Sequence, residues 1–191
     1  MRTVLIACVL LALARDSDAQ EPKGTTGSPP RPTTGSPRTP SGQLRISGNV
    51  YIGELAPDFE LANWRGRPTK LSRLRGHSLL LAFSERREDL GRLRAILPMI
   101  ADLDVVVVGV CADKPQTLRA FVERDTIPFE LLSDATREVA AVYGLFDRER
   151  SWIQPGFLVL DATGTVRMAL LGRLPPVDQI AELTRYITTG L

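Results

Sequence analysis

Asp104-Val105-Val106-Val107-Val108-Gly109-Val110-Cys111 decides the fold. Adjacent β-branched residues favour extended backbone. The four valines do not alternate with polar residues, so both faces of the strand must be covered, as in a parallel sheet lined by helices. Toward the C-terminus, Lys114-Pro115 predicts a helix start, with Leu118, Phe121 and Val122 on one face. Phe129 to Ser133 reads as a short strand, and Ala135 to Tyr143 as a helix stopped by Gly144. Phe157 to Leu160 and Thr165 to Leu171 flank Asp161-Ala162-Thr163-Gly164, a hairpin turn. Asp178 to Thr188 closes the domain as an amphipathic helix.

Toward the N-terminus, Ser78 to Ser84 is a continuous apolar run, again a buried strand. Between the two buried strands, Leu90, Leu93, Ile96, Leu97, Ile100 and Leu103 recur with a helical period over Arg87 to Leu103. Pro98 should kink or divide that helix. Earlier, a short helical turn after Leu71-Ser72 ends at Gly76. Ala56-Pro57-Asp58-Phe59-Glu60-Leu61 alternates like a strand and runs into a turn at Trp64-Arg65-Gly66. Strands alternating with helices, followed by an antiparallel hairpin, predict an α/β sandwich whose mixed central sheet carries helices on both faces.

The folded part spans residues 44–191. Residues 1–19 read as a signal peptide. Arg2 supplies a minimal positive end, Val4 to Ala14 an apolar stretch of 11 residues, and Ala12-Leu13-Ala14 or Ser17-Asp18-Ala19 a small-residue cleavage site. A membrane span takes roughly 20 apolar residues, so no transmembrane segment is expected after cleavage. Leu5-Ile6-Ala7-Cys8 has the look of a lipobox, but most of the apolar run follows Cys8, which argues against lipid anchoring. Residues 20–43 hold a literal repeat, Thr25-Thr26-Gly27-Ser28-Pro29 and Thr33-Thr34-Gly35-Ser36-Pro37. With almost nothing apolar to bury, this stretch is expected to form a disordered linker. The formal charge of +2 arises there, from Lys23, Arg31 and Arg38 against Glu21. The remaining domain is close to neutral and has no field to gather phosphates, which argues against nucleic acid as a partner. The chain is expected to be exported.

Several pieces together resemble the alkyl hydroperoxide reductase and thiol-specific antioxidant proteins, the peroxiredoxins. They are Gly53-x-x-Ala56-Pro57-x-Phe59-x-Leu61, Leu71-Ser72-x-x-x-Gly76 and Val108-Gly109-Val110-x-x-Asp113. Phe129-x-Leu131-Leu132-Ser133-Asp134, Tyr143-Gly144 and Phe157-Leu158-Val159-Leu160-Asp161-x-x-Gly164 follow in order. The resemblance covers residues 50–189 and implies a thioredoxin-like, three-layer fold. It also implies an activity, thiol-dependent peroxide reduction, in which a low-pKa cysteine attacks the O–O bond and becomes a sulfenic acid. In the family that cysteine ends a Pro-x-x-x-Thr-x-x-Cys motif at the first turn of the helix after the first long buried strand. Here Glu85 stands for the proline, Asp89 for the threonine and Arg92 for the cysteine. Pro155 falls where the superfamily carries its cis-proline, near the place of a later family arginine that is missing. An arginine stays protonated and is no nucleophile, so the resemblance extends to the scaffold and not to its reactive centre.

The remaining candidates are few. Beyond the proposed signal, Cys111 is the only cysteine. It reads either as a redox thiol served by an external reductant or as a small buried hydrophobe ending an apolar strand. Arg86, Arg87 and Arg92, in and just after the Glu85–Asp89 charge run, form a candidate anion-binding set. The same run also reads as an internally paired, solvated surface. His77 is the only histidine, so no metal site is expected, and the glycines form no phosphate-binding pattern. Asp102 and Asp104 read as loop residues. No cofactor is expected. The reading that emerges is an exported, non-catalytic binding protein with a small anionic ligand or an envelope protein as partner. The alternative is a thiol-dependent oxidoreductase using Cys111.

Overall fold

The computed structural model describes residues 45–47 and 50–190. The expected signal peptide (1–19), the expected linker (20–43) and Cys8 lie outside the described residues. In chain order the strands are β1 (Arg45–Ser47), β2 (Val50–Tyr51), β3 (Glu60–Asn63), β4 (Pro68–Lys70), β5 (Ser78–Phe83), β6 (Val105–Cys111) and β7 (Glu130–Ser133). Four more follow: β8 (Phe146–Asp147), β9 (Trp152–Ile153), β10 (Gly156–Leu160) and β11 (Val166–Leu171). The α-helices are α1 (Arg87–Gly91), α2 (Pro115–Asp125), α3 (Glu138–Val142) and α4 (Val177–Thr189). Two 3-10 helices, Leu71–Leu74 and Arg92–Met99, complete the set.

The valine strand lies mid-sheet. Seven strands pair in the order β11-β10-β5-β6-β7-β3-β4. β6 is parallel to β5 and β7, while β10 runs antiparallel to β5 and β11, and β3 antiparallel to β7 and β4. The sheet is therefore mixed, as the residue pattern predicts. Its apolar runs divide between two faces with the period of 2 that a pleated strand imposes. On one face Leu80, Ala82, Val107 and Cys111 pack with Leu90, Leu93 and Ile96 and with α2 and α4 residues Leu118, Phe121 and Ile180. On the other, Leu79, Leu81, Phe83, Val108 and Val110 pack with Leu71, Ala140 and Tyr143.

Gly109 sets how close the first helix can come. A Cβ there would lie 2.6 Å from Leu131 Cδ2 and 3.2 Å from Leu90 Cδ1. Only a residue without a side chain lets Leu90 of α1 and Leu131 of β7 meet over β6. This close approach seats α1 at the carboxyl edge of the parallel strands.

Several elements differ from the sequence reading. The strand read over 56–61 begins only at Glu60. Before it the Asp58 carboxylate accepts the Phe59 and Ser72 backbone N–H groups, which holds the chain in a turn. The helix read over Arg87 to Leu103 is α-helical for five residues and then tightens to 3-10 geometry. Pro98 has no N–H with which to close an α turn on Arg94. The helix read from Ala135 starts at Glu138, because Arg137 sits in the left-handed region at φ 62°. The β8–β9 hairpin was not expected at all. Every peptide bond among the described residues is trans, so Gln154-Pro155 lacks the cis geometry that the resemblance suggested. Among the described residues no helix is long and apolar enough to cross a membrane.

Candidate active-site edge and its groove

The loop after β5 occupies the place where the resemblance puts a reactive thiol, and it is filled with ion pairs. Ser84 is fully buried. Its hydroxyl donates to Asp89 Oδ2 (3.2 Å) and accepts the Arg86 N–H (3.2 Å), closing the turn into α1. Glu85 accepts from Arg137 Nη2 at 2.5 Å and Nε at 3.2 Å, and from the Ile153 backbone N–H at 2.9 Å. One carboxylate thus joins the β5–α1 loop to the start of α3 and to β9. Its side chain is 17% exposed and that of Arg137 is 28% exposed. Arg87 donates to Asp113 at 3.0 Å and pairs with Glu88 at 3.1 Å, fastening the loop to the segment after β6. Asp113, with Glu88, holds the Arg87 guanidinium firmly charged, its pKa raised chiefly by the hydrogen bond to Asp113.

Cys111 ends β6 beneath this lattice with 0% exposure. Burial pushes its thiol up to about 12, and the carboxylates of Asp113 and Glu85 add to the effect. The Asp113 backbone N–H and Arg87 oppose it without reversing it. Peroxide chemistry requires the thiolate, whereas this environment stabilises the neutral S–H. Burial therefore favours the neutral form of Cys111, which packs among the apolar side chains of the core.

Beside the ion pairs runs a groove of about 760 Å³. Asp89, Arg92, Leu93, Arg94 and Ala95 form one wall; Pro155, Leu174, Pro175, Pro176, Val177 and Ile180 form the rest. Of the four residues that the resemblance sets at the family centre, Asp89, Arg92 and Pro155 line this groove, while Glu85 is drawn aside by Arg137. The candidate anion set Arg86, Arg87 and Arg92 does not converge. Only Arg92 lines the groove; Arg87 is bound to Asp113, and Arg86 precedes α1 on extended backbone.

Arg94 was missed. Residues two apart in an α-helix point about 160° apart, but a 3-10 helix brings them to about 120°. The tightening after α1 thus places Arg92 and Arg94 on a shared rim, and Pro98 was the only sequence signal for it. His77 Nδ1 lies 2.7 Å from Asp104, and Asp102 pairs with Arg185, so these residues serve the surface. Among the described residues no three His, Cys, Asp or Glu side chains gather as metal ligands would.

The sequence pattern of the AhpC/TSA family matches residues 52–169. The chain belongs to that family. It is 27% identical over 161 residues to a chloroplastic peroxiredoxin Q from Sedum lineare, covering 78% of this chain and 86% of the relative. To peroxiredoxin Bcp of Bacillus subtilis it is 28% identical over 127 residues, covering 60% of this chain and 81% of the relative. Among solved structures, peroxidoxin BcpB from Mycobacterium tuberculosis superposes with a TM-score of 0.65 at 22% identity, covering 74% of this chain and 98% of that one. That likeness shows the thioredoxin-like fold. The family is one of thiol peroxidases, so peroxide reduction is the activity against which the groove and Cys111 are weighed.

Proposed function

We propose that this AhpC/TSA-family chain is an exported, non-catalytic binding protein that has kept the peroxiredoxin scaffold and lost its thiol chemistry. The observation that carries this reading is Arg92. It lines the groove, a count without gaps from Phe83 sets it against the family's attacking cysteine, and a guanidinium neither attacks an O–O bond nor loses its proton at physiological pH. Two further features support it. Glu85 and Asp89, in place of the motif's proline and threonine, serve ion pairs and turn closure, and Cys111 is enclosed as a neutral thiol. The export part of the proposal rests on the signal-like residues 1–19.

The family activity itself favours a second reading, a thiol peroxidase that uses Cys111 with an external reductant. Peroxide consumption in excess dithiothreitol, wild type beside Cys111→Ser, separates the two. The proposal expects no turnover above the reductant-only blank in either protein. Turnover that disappears in Cys111→Ser would overturn it in favour of the second reading.

A further inference from the structure

We propose that the groove between the 3-10 helix Arg92–Met99 and the start of α4 binds a carboxylate carrying an apolar chain. This rests on the binding-protein reading and names its ligand class. Leu93 and Ile180, each at 1% exposure, form the greasy bottom, flanked by Leu174 and Val177. Pro155, Pro175 and Pro176 build the walls. Prolines have no backbone N–H and a fixed φ, so these walls are apolar and rigid and lose little freedom when a ligand enters. At about 760 Å³ the groove falls within the span of small-molecule sites, roughly 300–1,000 Å³.

The rim supplies the charge. The side chain of Arg92 is 75% exposed, and its ion pair with Asp89 stretches to 3.8 Å, beyond hydrogen-bond length. Asp89 itself accepts from Ser84. Arg94 Nη1 donates to the Asp125 backbone carbonyl at 3.1 Å, and its charge also acts on the Asp125 carboxylate, whose hydrogen-bonded partner is Arg124. Of the nearby carboxylates, Glu88 lies 3.1 Å from Arg87 and Asp125 2.7 Å from Arg124. Two guanidinium groups against one carboxylate make the mouth positive. A guanidinium fork matches the two oxygens of a carboxylate, while the apolar bottom gives no such partner to inorganic anions. The lining includes no Cys, Ser, Thr or His, so a bound acid meets no nucleophile.

Calorimetric titration of the full chain with sodium decanoate, acetate, decanol and sulfate at matched ionic strength tests the proposal. Decanoate is expected to bind one-to-one, at least about tenfold more tightly than acetate, decanol or sulfate, since each of these lacks one half of the match. The double variant Arg92→Ala/Arg94→Ala should weaken decanoate about tenfold, and Val177→Trp should fill the groove and abolish binding, each variant being checked by its thermal melt. The double variant changes only rim residues, so it remains informative if Val177→Trp fails to fold. No decanoate binding by folded protein, equal binding of decanol, or binding that survives both variants would overturn the ligand class. None of these outcomes bears on peroxide turnover, which alone decides the non-catalytic reading.

Discussion

Glu85→Ala should unfold the loop's anchorage more than any other change in the Glu85–Asp89 run. The Glu85 carboxylate holds two Arg137 nitrogens and the Ile153 N–H. Hydrogen bonds to a charged group are worth about 1.5–3 kcal/mol each, and partial exposure of both side chains lowers the sum by solvent screening. Alanine would leave the Ile153 N–H and a half-buried guanidinium without this partner. The expected loss is about 2–4 kcal/mol, and for Glu85→Gln, which retains the shape and an acceptor, about 1–2 kcal/mol. For a domain of this size the alanine variant should melt about 5–12 °C lower. Calorimetry on Glu85→Ala, Arg137→Ala and the double variant closes a cycle whose coupling should be about 1–3 kcal/mol. An alanine effect within about 0.5 kcal/mol, or additive single effects, would refute the claim that this pair replaces the family's reactive loop with a structural strut.

Gly109→Ala should cost about 1–3 kcal/mol in urea unfolding, because its Cβ would meet Leu131 at 2.6 Å and Leu90 at 3.2 Å; an unchanged midpoint would mean α1 sits farther from β6. Stability should also fall on the alkaline side. Burial raises the Cys111 pKa to about 12, so its contribution is fully present below the unfolded thiol's value near 8.5 and is lost as pH rises toward 12, at up to about 1.4 kcal/mol per pH unit. Tyr143, also raised by burial, adds to the decline above about pH 10. Urea midpoints at pH 8 and pH 10.5 should therefore converge between wild type and Cys111→Ser; parallel slopes would show that the thiol ionises in the folded protein.

How far the residues alone foretell this molecule depends on the range of the forces involved. The valine strand, Lys114-Pro115 and the 161–164 hairpin are set by local backbone preference and by a burial period, and they appear where the pattern puts them. The β8–β9 hairpin has two-residue strands, too short to show any period. Arg137 in the left-handed region is held by tertiary pairing with Glu85, which lies 52 positions away. The same distance problem applies at the site. Arg92 was visible as a substitution in a motif, but its groove is completed by Leu174 to Val177 and Ile180 from the far end of the chain. The residues suggested anion binding at Arg86, Arg87 and Arg92; the structure turns Arg87 toward Asp113 and leaves Arg92, with Arg94, on the groove wall.

On this reading the family scaffold holds no reactive thiolate. Peptide mass spectrometry of a Cys8→Ser chain treated with hydrogen peroxide, folded and in denaturant, tests it most directly. Folded Cys111 should stay a thiol while the same residue oxidises once the chain is unfolded. Rapid sulfenic or sulfinic acid at Cys111 in the folded protein would contradict it.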